Sequence, residues 1–173
     1  KVFFKDLRNE SLNLSCESST KDASSKQEIS QIILKAHMQQ RPHLDKKNLQ
    51  SFLNTLAYPI AFLDFETFQY PVPLFKGCKV YQQIPFQFSM QLLNSPFDQL
   101  SHKEFIANPE EDPRLHFCKA LIQAIPNHAS VMVYNAQFEA GIISQLQEWF
   151  PKYFDLLECI KHRLVDLMLP FKD

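Results

Sequence analysis

Residues 58–67 read Tyr58-Pro59-Ile60-Ala61-Phe62-Leu63-Asp64-Phe65-Glu66-Thr67. An apolar run bounded by proline is the pattern of a central strand buried in a sheet. Side chains alternate along a strand, so Asp64 and Glu66 share one face, roughly 7 Å apart. Phe62 shares that face, and Leu63 and Phe65 take the other. An unpaired carboxylate inside an apolar strand costs roughly several kcal/mol, and two of like sign repel each other. Divalent cations between them remove both penalties, and hard oxygen donors suit Mg²⁺ or Mn²⁺. The competing reading ends the strand early and leaves two surface carboxylates at a strand–loop junction.

Working outward, residues 85–93 read as a second strand and 102–107 as a third whose polar–apolar alternation suits an edge. Asp112-Pro113 opens a helix, a cap followed by proline at the first helical position. Its apolar face is assigned to Leu115, Cys118, Leu121, Ile122 and Ile125, and Pro126-Asn127 closes it. A short buried strand at 130–134 leads into a helix carrying Phe138, Ile142, Leu146 and Trp149. Pro151 opens another helix with Phe154, Leu157 and Ile160, and 164–169 reads as a last strand. On the N-terminal side, 9–28 is rich in Ser, Asn, Lys, Glu and Asp and reads as a linker. A helix follows at 27–39, and a second begins after a cap at Asp45, with Leu49, Phe52, Leu53 and Leu56 as its stripe. The expected division is therefore an arm over 1–43 and an α/β domain over 44–173. Its order β-β-β-α-β-α-α-β implies a mixed sheet, the first three strands antiparallel, flanked by helices.

A second acidic feature is Tyr134-Asn135-Ala136-Gln137-Phe138-Glu139, where a buried strand becomes a helix. Glu139 falls in the first helical turn, where a carboxylate is favoured in any case. The bland reading is thus a helix N-terminal charge.

Composition excludes several classes. The 173 residues contain only Gly77 and Gly141, too few for a phosphate-cradling glycine loop. Cys16, Cys78, Cys118 and Cys159 form no close pair and no zinc spacing, as expected of reduced thiols in a cytoplasmic protein. No apolar run approaches the roughly 18 residues of a membrane span, and no secretory signal is visible. The net charge is -1. It is uneven: residues 1–56 hold nine Lys/Arg against six Asp/Glu, and the remainder nine against thirteen. An acidic body that handles a polyanion needs cations in its site.

Taken together, IAFLDFET and YNAQFE resemble the first two motifs of the DEDD, proofreading-type 3′–5′ exonucleases, which have a ribonuclease H-like fold. Asp64 and Glu66 match the Asp-x-Glu of the first motif; Tyr134, Asn135, Phe138 and Glu139 match the second. The longer run through YQQIPFQFSMQLL, ANPEEDPR, VYNAQFE and RLVDLMLPF is similar to a bacterial family known as domain of unknown function 2779, over about residues 44–171. The resemblance implies that Asp64, Glu66 and Glu139 hold two Mg²⁺ or Mn²⁺ ions and catalyse phosphodiester hydrolysis. It further implies that Thr67, Phe68, Tyr134 and Asn135 border a single-stranded 3′ end of DNA or RNA. Phe68 and Tyr70 are candidates for base stacking, and Phe65 for core packing.

Two departures accompany the resemblance. Glu139 stands where the family has Asp, one methylene longer. The third motif, with its general base and fourth carboxylate, is expected on a helix beyond Asp173. The expectations are a domain truncated at its C-terminus, weak or absent activity in this chain alone, and a further domain in the full-length protein. Asp166 reads as structural and His162 as solvated. The alternative function is a catalytically degenerate module of the same fold that binds nucleic acid or a partner protein.

Overall fold

A computed structural model describes residues 22–172. The stretch before residue 22, with Cys16 and most of the expected linker, and Asp173 lie outside the described residues. The chain separates into two compact units, Lys1–Lys46 and Lys47–Asp173. The first unit contains helix α1 (Asp22–Gln39), which starts earlier than expected, so Asp22–Ser25 are helical rather than linker. Ile29, Ile33 and Met38 on this helix are exposed.

Helix α2 (Lys46–Leu53) begins directly after Asp45 and buries none of its residues. The rest of the second unit is an α/β arrangement. Its strands are β1 (Ile60–Phe68), β2 (Ile84–Leu93), β3 (Ser101–Ile106), β4 (Ser130–Val133) and β5 (Leu164–Asp166). They form one five-stranded mixed sheet in the order β3-β2-β1-β4-β5. The first three pair antiparallel, and β4 and β5 run parallel to β1. Helices α3 (Pro113–Ala124), α4 (Ala136–Trp149) and α5 (Phe154–Lys161) are joined to them, with a 3₁₀ turn at Pro151–Tyr153 and a final helical turn α6 (Leu169–Lys172).

One face of the sheet carries the core. Ala61, Leu63 and Phe65 of β1, Phe88, Met90 and Leu92 of β2, and Val131 and Val133 of β4 pack with Phe117, Ile142, Ile143, Leu146, Leu157 and Ile160 from the three helices. Strand period two sorts β1 as expected: Leu63 and Phe65 are buried, and Asp64 and Glu66 are exposed. The strand does not stop short of the carboxylates but continues to Phe68, paired with β2 along its length.

Helix α3 shows why it starts where it does. The Asp112 side chain accepts a hydrogen bond from the Arg114 backbone N–H at 3.1 Å, and Pro113 opens the first turn. Of the expected face, Cys118, Leu121 and Ile125 are buried and Leu115 and Ile122 half-buried; Arg114, Phe117 and Ala124 are buried as well. Phe117 extends the face, its ring meeting those of Phe65 at 5.2 Å, Phe88 at 5.6 Å and Phe105 at 6.0 Å. Edge-to-face contacts of this kind add to what burial alone contributes.

Two other expectations are corrected. The last strand ends at Asp166, not 169: the Asp166 carboxylate accepts a bond from the Met168 N–H at 2.9 Å, which turns the chain into α6. Short polar side chains that bond the backbone two residues on favour such turns. Phe154 is exposed, leaving Leu157 and Ile160 as the buried residues of α5.

Candidate functional site

The C-terminal ends of the three parallel strands, β1, β4 and β5, face one edge of the sheet. Ligands of open α/β sheets bind outside such strand ends. Register decides what each strand delivers there. Phe62 pairs with Met132, and Val133 with Asp166. Asp64 therefore stands level with Tyr134, just past β4, and Asp166 one residue back on the next strand.

Glu139 enters from α4. Residues four and seven positions along a helix share its face, so the period that buries Ile143 and Leu146 buries Glu139 too. It is 2% exposed, and its Oε2 atom has no hydrogen-bond partner. Burial pushes its carboxyl from an ordinary 4.5 up to about 7; its own backbone N–H pulls the other way, and the charges of Asp64 and Asp166 push it up further. The helix N-terminus favours a carboxylate, but desolvation wins. Asp64 and Asp166 are thus close enough to Glu139 for their charges to act on it.

Asp166 has the structural role expected of it. Its Oδ1 accepts the Asn135 backbone N–H at 2.9 Å as well as that of Met168. This ties the β4–α4 junction to the end of β5 and brings a third negative charge to Glu139. The signal in the sequence was an acid closing the last parallel strand; its significance needed the strand order. Asn135 has φ 65°, in the left-handed region, and caps α4 without a side-chain bond. Asn adopts that conformation more readily than most residues. Tyr134 is exposed.

Glu66 lies two residues beyond Asp64 on the same exposed face. Immediately after it the β1–β2 register slips, with Glu66 opposite Gln87 and Thr67 opposite Pro85. Such irregularities re-aim side chains beside active sites. Thr67 and Phe68 follow, both half-buried. Phe68 is held among the rings of Tyr70 (5.5 Å), Phe86 (5.9 Å) and Phe75 (6.4 Å). Phe65 belongs to the core, as expected. His162 is well exposed, and its Nε2 lies 3.1 Å from Glu158 Oε1.

The chemistry of the donor set suits a hard divalent cation: carboxylate oxygens, one of them buried and unpartnered. Among the described residues, no three His, Cys, Asp or Glu side chains close to the spacing that encloses an ion. Like-charged carboxylates repel one another until a cation draws them in. The arrangement can therefore accept a cation or a proton at Glu139.

No curated protein and no solved structure matches the chain. The family described as domain of unknown function (DUF2779) matches residues 61–173, which takes in all of the sheet but Ile60 and every carboxylate of this edge, and the chain belongs to that family.

Proposed function

We propose that this domain is a ribonuclease H-like, metal-dependent nuclease of the 3′–5′ exonuclease type, acting on single-stranded ends of DNA or RNA. The observation that carries the reading is Glu139, a buried carboxylate with an unpartnered oxygen, held within electrostatic reach of Asp64 and Asp166 at the parallel strand ends. An orphaned buried polar atom costs about 1–3 kcal/mol, which a bound cation would offset. A mixed sheet of three antiparallel strands followed by two parallel ones agrees with the fold that the DEDD motifs imply.

Asp64, Glu66 and Glu139 would hold Mg²⁺ or Mn²⁺. Bound in pairs, such ions supply an activated water and stabilise the leaving 3′ oxygen. The residues of the chain itself position the substrate: Thr67 and Phe68 on one side of the carboxylates, Tyr134 and Asn135 on the other. Asp166 acts as a positioning residue, fixing the Asn135 backbone through its hydrogen bond.

The test uses 5′-labelled single-stranded DNA and RNA with Mn²⁺ or Mg²⁺, comparing the natural protein with its Glu66→Gln variant. The expected result is a ladder shortening from the 3′ end, abolished by the substitution. A second readout needs no turnover: calorimetric titration with Mn²⁺ shows binding that Asp64→Asn and Glu139→Gln each weaken. A degenerate binding module is the second reading, favoured by carboxylates that do not close on one another. Absence of both cleavage and Mn²⁺ binding would favour it over the nuclease.

A further inference from the structure

The connection between β1 and β2, residues 69–83, leaves the candidate edge and exposes an unusual set of side chains. Tyr70 is 49% exposed, Tyr81 61%, Val72 71% and Val80 59%. Lys76 and Lys79 are exposed beside them. From Thr67 to Phe97 the chain carries no acidic residue, and these two lysines are its only charges. An acidic domain has thus placed an acid-free aromatic segment bearing two lysines near its carboxylates, with Glu111 and Asp112 of the α3 start bordering Lys76. Tyr70 lies four residues past Glu66, within about 14 Å of it at strand rise.

The connection is fastened at several points. The Tyr81 backbone N–H donates to Tyr70 O at 2.9 Å, which brings the two tyrosines together although they are eleven positions apart. Tyr81 holds φ 54°, a left-handed conformation that bulky residues rarely adopt. Arg114 Nη2 donates to Lys76 O at 3.0 Å, its guanidinium 4.8 Å from the centre of the Trp149 ring and 5.8 Å from that of Phe75. Gln82 donates to Gln145 of α4 at 2.9 Å. Pro71 and Pro73 stiffen the outward limb. A surface ordered before binding loses less entropy when a ligand arrives.

We infer that this connection is a preformed platform for single-stranded nucleic acid, with Tyr70 and Tyr81 stacking on bases and Lys76 and Lys79 pairing with phosphates. The inference deepens the proposed function by naming how its substrate class is held, and rests on that reading for the direction in which the strand runs. Exposed aromatic rings interleaved with lysines suit unpaired bases joined by phosphates. A duplex keeps its base faces stacked on one another and offers them no platform. The charge pattern selects the polyanion over an apolar protein partner.

The test measures affinity separately from cleavage, by fluorescence anisotropy of a labelled single-stranded oligonucleotide with the whole chain in EDTA. Tyr70→Ala and Tyr81→Ala are each expected to weaken binding about ten-fold. Tyr70→Phe and Tyr81→Phe keep a ring and should bind as the parent does. Lys76→Gln with Lys79→Gln should flatten the dependence of log affinity on log salt by about 1.4. Unchanged affinity in both alanine variants, or no binding by the parent, overturns the inference. So does an alanine variant that abolishes self-association in sedimentation while leaving oligonucleotide affinity intact, which would make the surface a protein interface. Cleavage measured in parallel separates the two readings. Tyrosine-dependent binding with cleavage indifferent to Glu66→Gln keeps the platform and removes the exonuclease. Glu66-dependent cleavage with binding indifferent to both tyrosines does the reverse.

Discussion

Replacing Glu139 by Gln should stabilise the protein at alkaline pH, although it removes a candidate functional residue. The carboxyl is buried and its titration in the folded protein is raised from 4.5 to about 7. Between those values the folded chain holds a proton that the unfolded chain has released. Stability therefore falls as pH rises through this window, the reverse of a salt-bridged carboxylate, and levels off above about 7. At 1.36 kcal/mol for each pH unit of displacement, the full penalty is about 3 kcal/mol, reached near pH 8, with about 1 kcal/mol already present at pH 5. Gln is neutral throughout. Urea unfolding of parent and variant at pH 5 and pH 8 isolates the effect, because every other titrating group cancels in the difference. The variant's advantage should grow by about 2 kcal/mol between the two pH values. Mn²⁺ should restore the parent at pH 8 and stabilise the variant less. An advantage independent of pH would refute the buried, charge-coupled placement of Glu139.

Phe117 is fully buried against three other rings, so Phe117→Ala should cost about 3–5 kcal/mol in urea unfolding; a loss below about 1 kcal/mol would contradict the packing of α3. Asp112→Ala removes both the α3 cap and the partner of the buried Arg114 guanidinium, which it meets at 2.6 Å. The expected cost is about 2–4 kcal/mol, shown by a lowered urea midpoint, with Asp112→Asn recovering the part due to the cap. Asp166→Asn keeps an oxygen for the Asn135 and Met168 N–H groups and should leave stability within about 0.5 kcal/mol, whereas Asp166→Ala should lose about 1–2 kcal/mol. If Asp166 is also felt at the cation site, the Asn variant will bind Mn²⁺ more weakly at unchanged thermal stability.

The sequence was most legible where a single physical period dominated. β1 alternates cleanly, so the common face of Asp64 and Glu66 followed from strand geometry alone. The Asp112-Pro113 start of α3 followed from cap chemistry. Its face was legible in Cys118, Leu121 and Ile125 but not in Phe117, whose position is set by Phe65, Phe88 and Phe105 on three different strands, which no local pattern reveals. The end of β5 was missed for a local reason: Leu164 to Leu169 looks like an uninterrupted apolar strand until Asp166 turns back onto the Met168 N–H. Glu139 was legible as a charge at a helix start but not as a buried group, since its burial depends on which side of α4 meets the sheet.

The unforeseen burial of Glu139 has a long-range origin that bears on the chemistry. Asp64, Glu139 and Asp166 are separated by 75 and 27 residues in the chain, and only the parallel run of β1, β4 and β5 brings them to one edge. Three carboxylates so placed would repel a phosphate backbone, yet the neighbouring connection carries only lysines from Thr67 to Phe97. The two charge signs are thereby divided between adjacent segments; on the proposed function, the lysines would meet a polyanion directly and the carboxylates would meet it through a cation. That division predicts a difference in salt response. Oligonucleotide affinity in EDTA should fall steeply with added monovalent salt, whereas Mn²⁺ affinity, resting on the buried Glu139, should fall much less, because buried charges are screened less than exposed ones. Parallel salt titrations of the two ligands measure this, and equal slopes would mean that one exposed surface serves both.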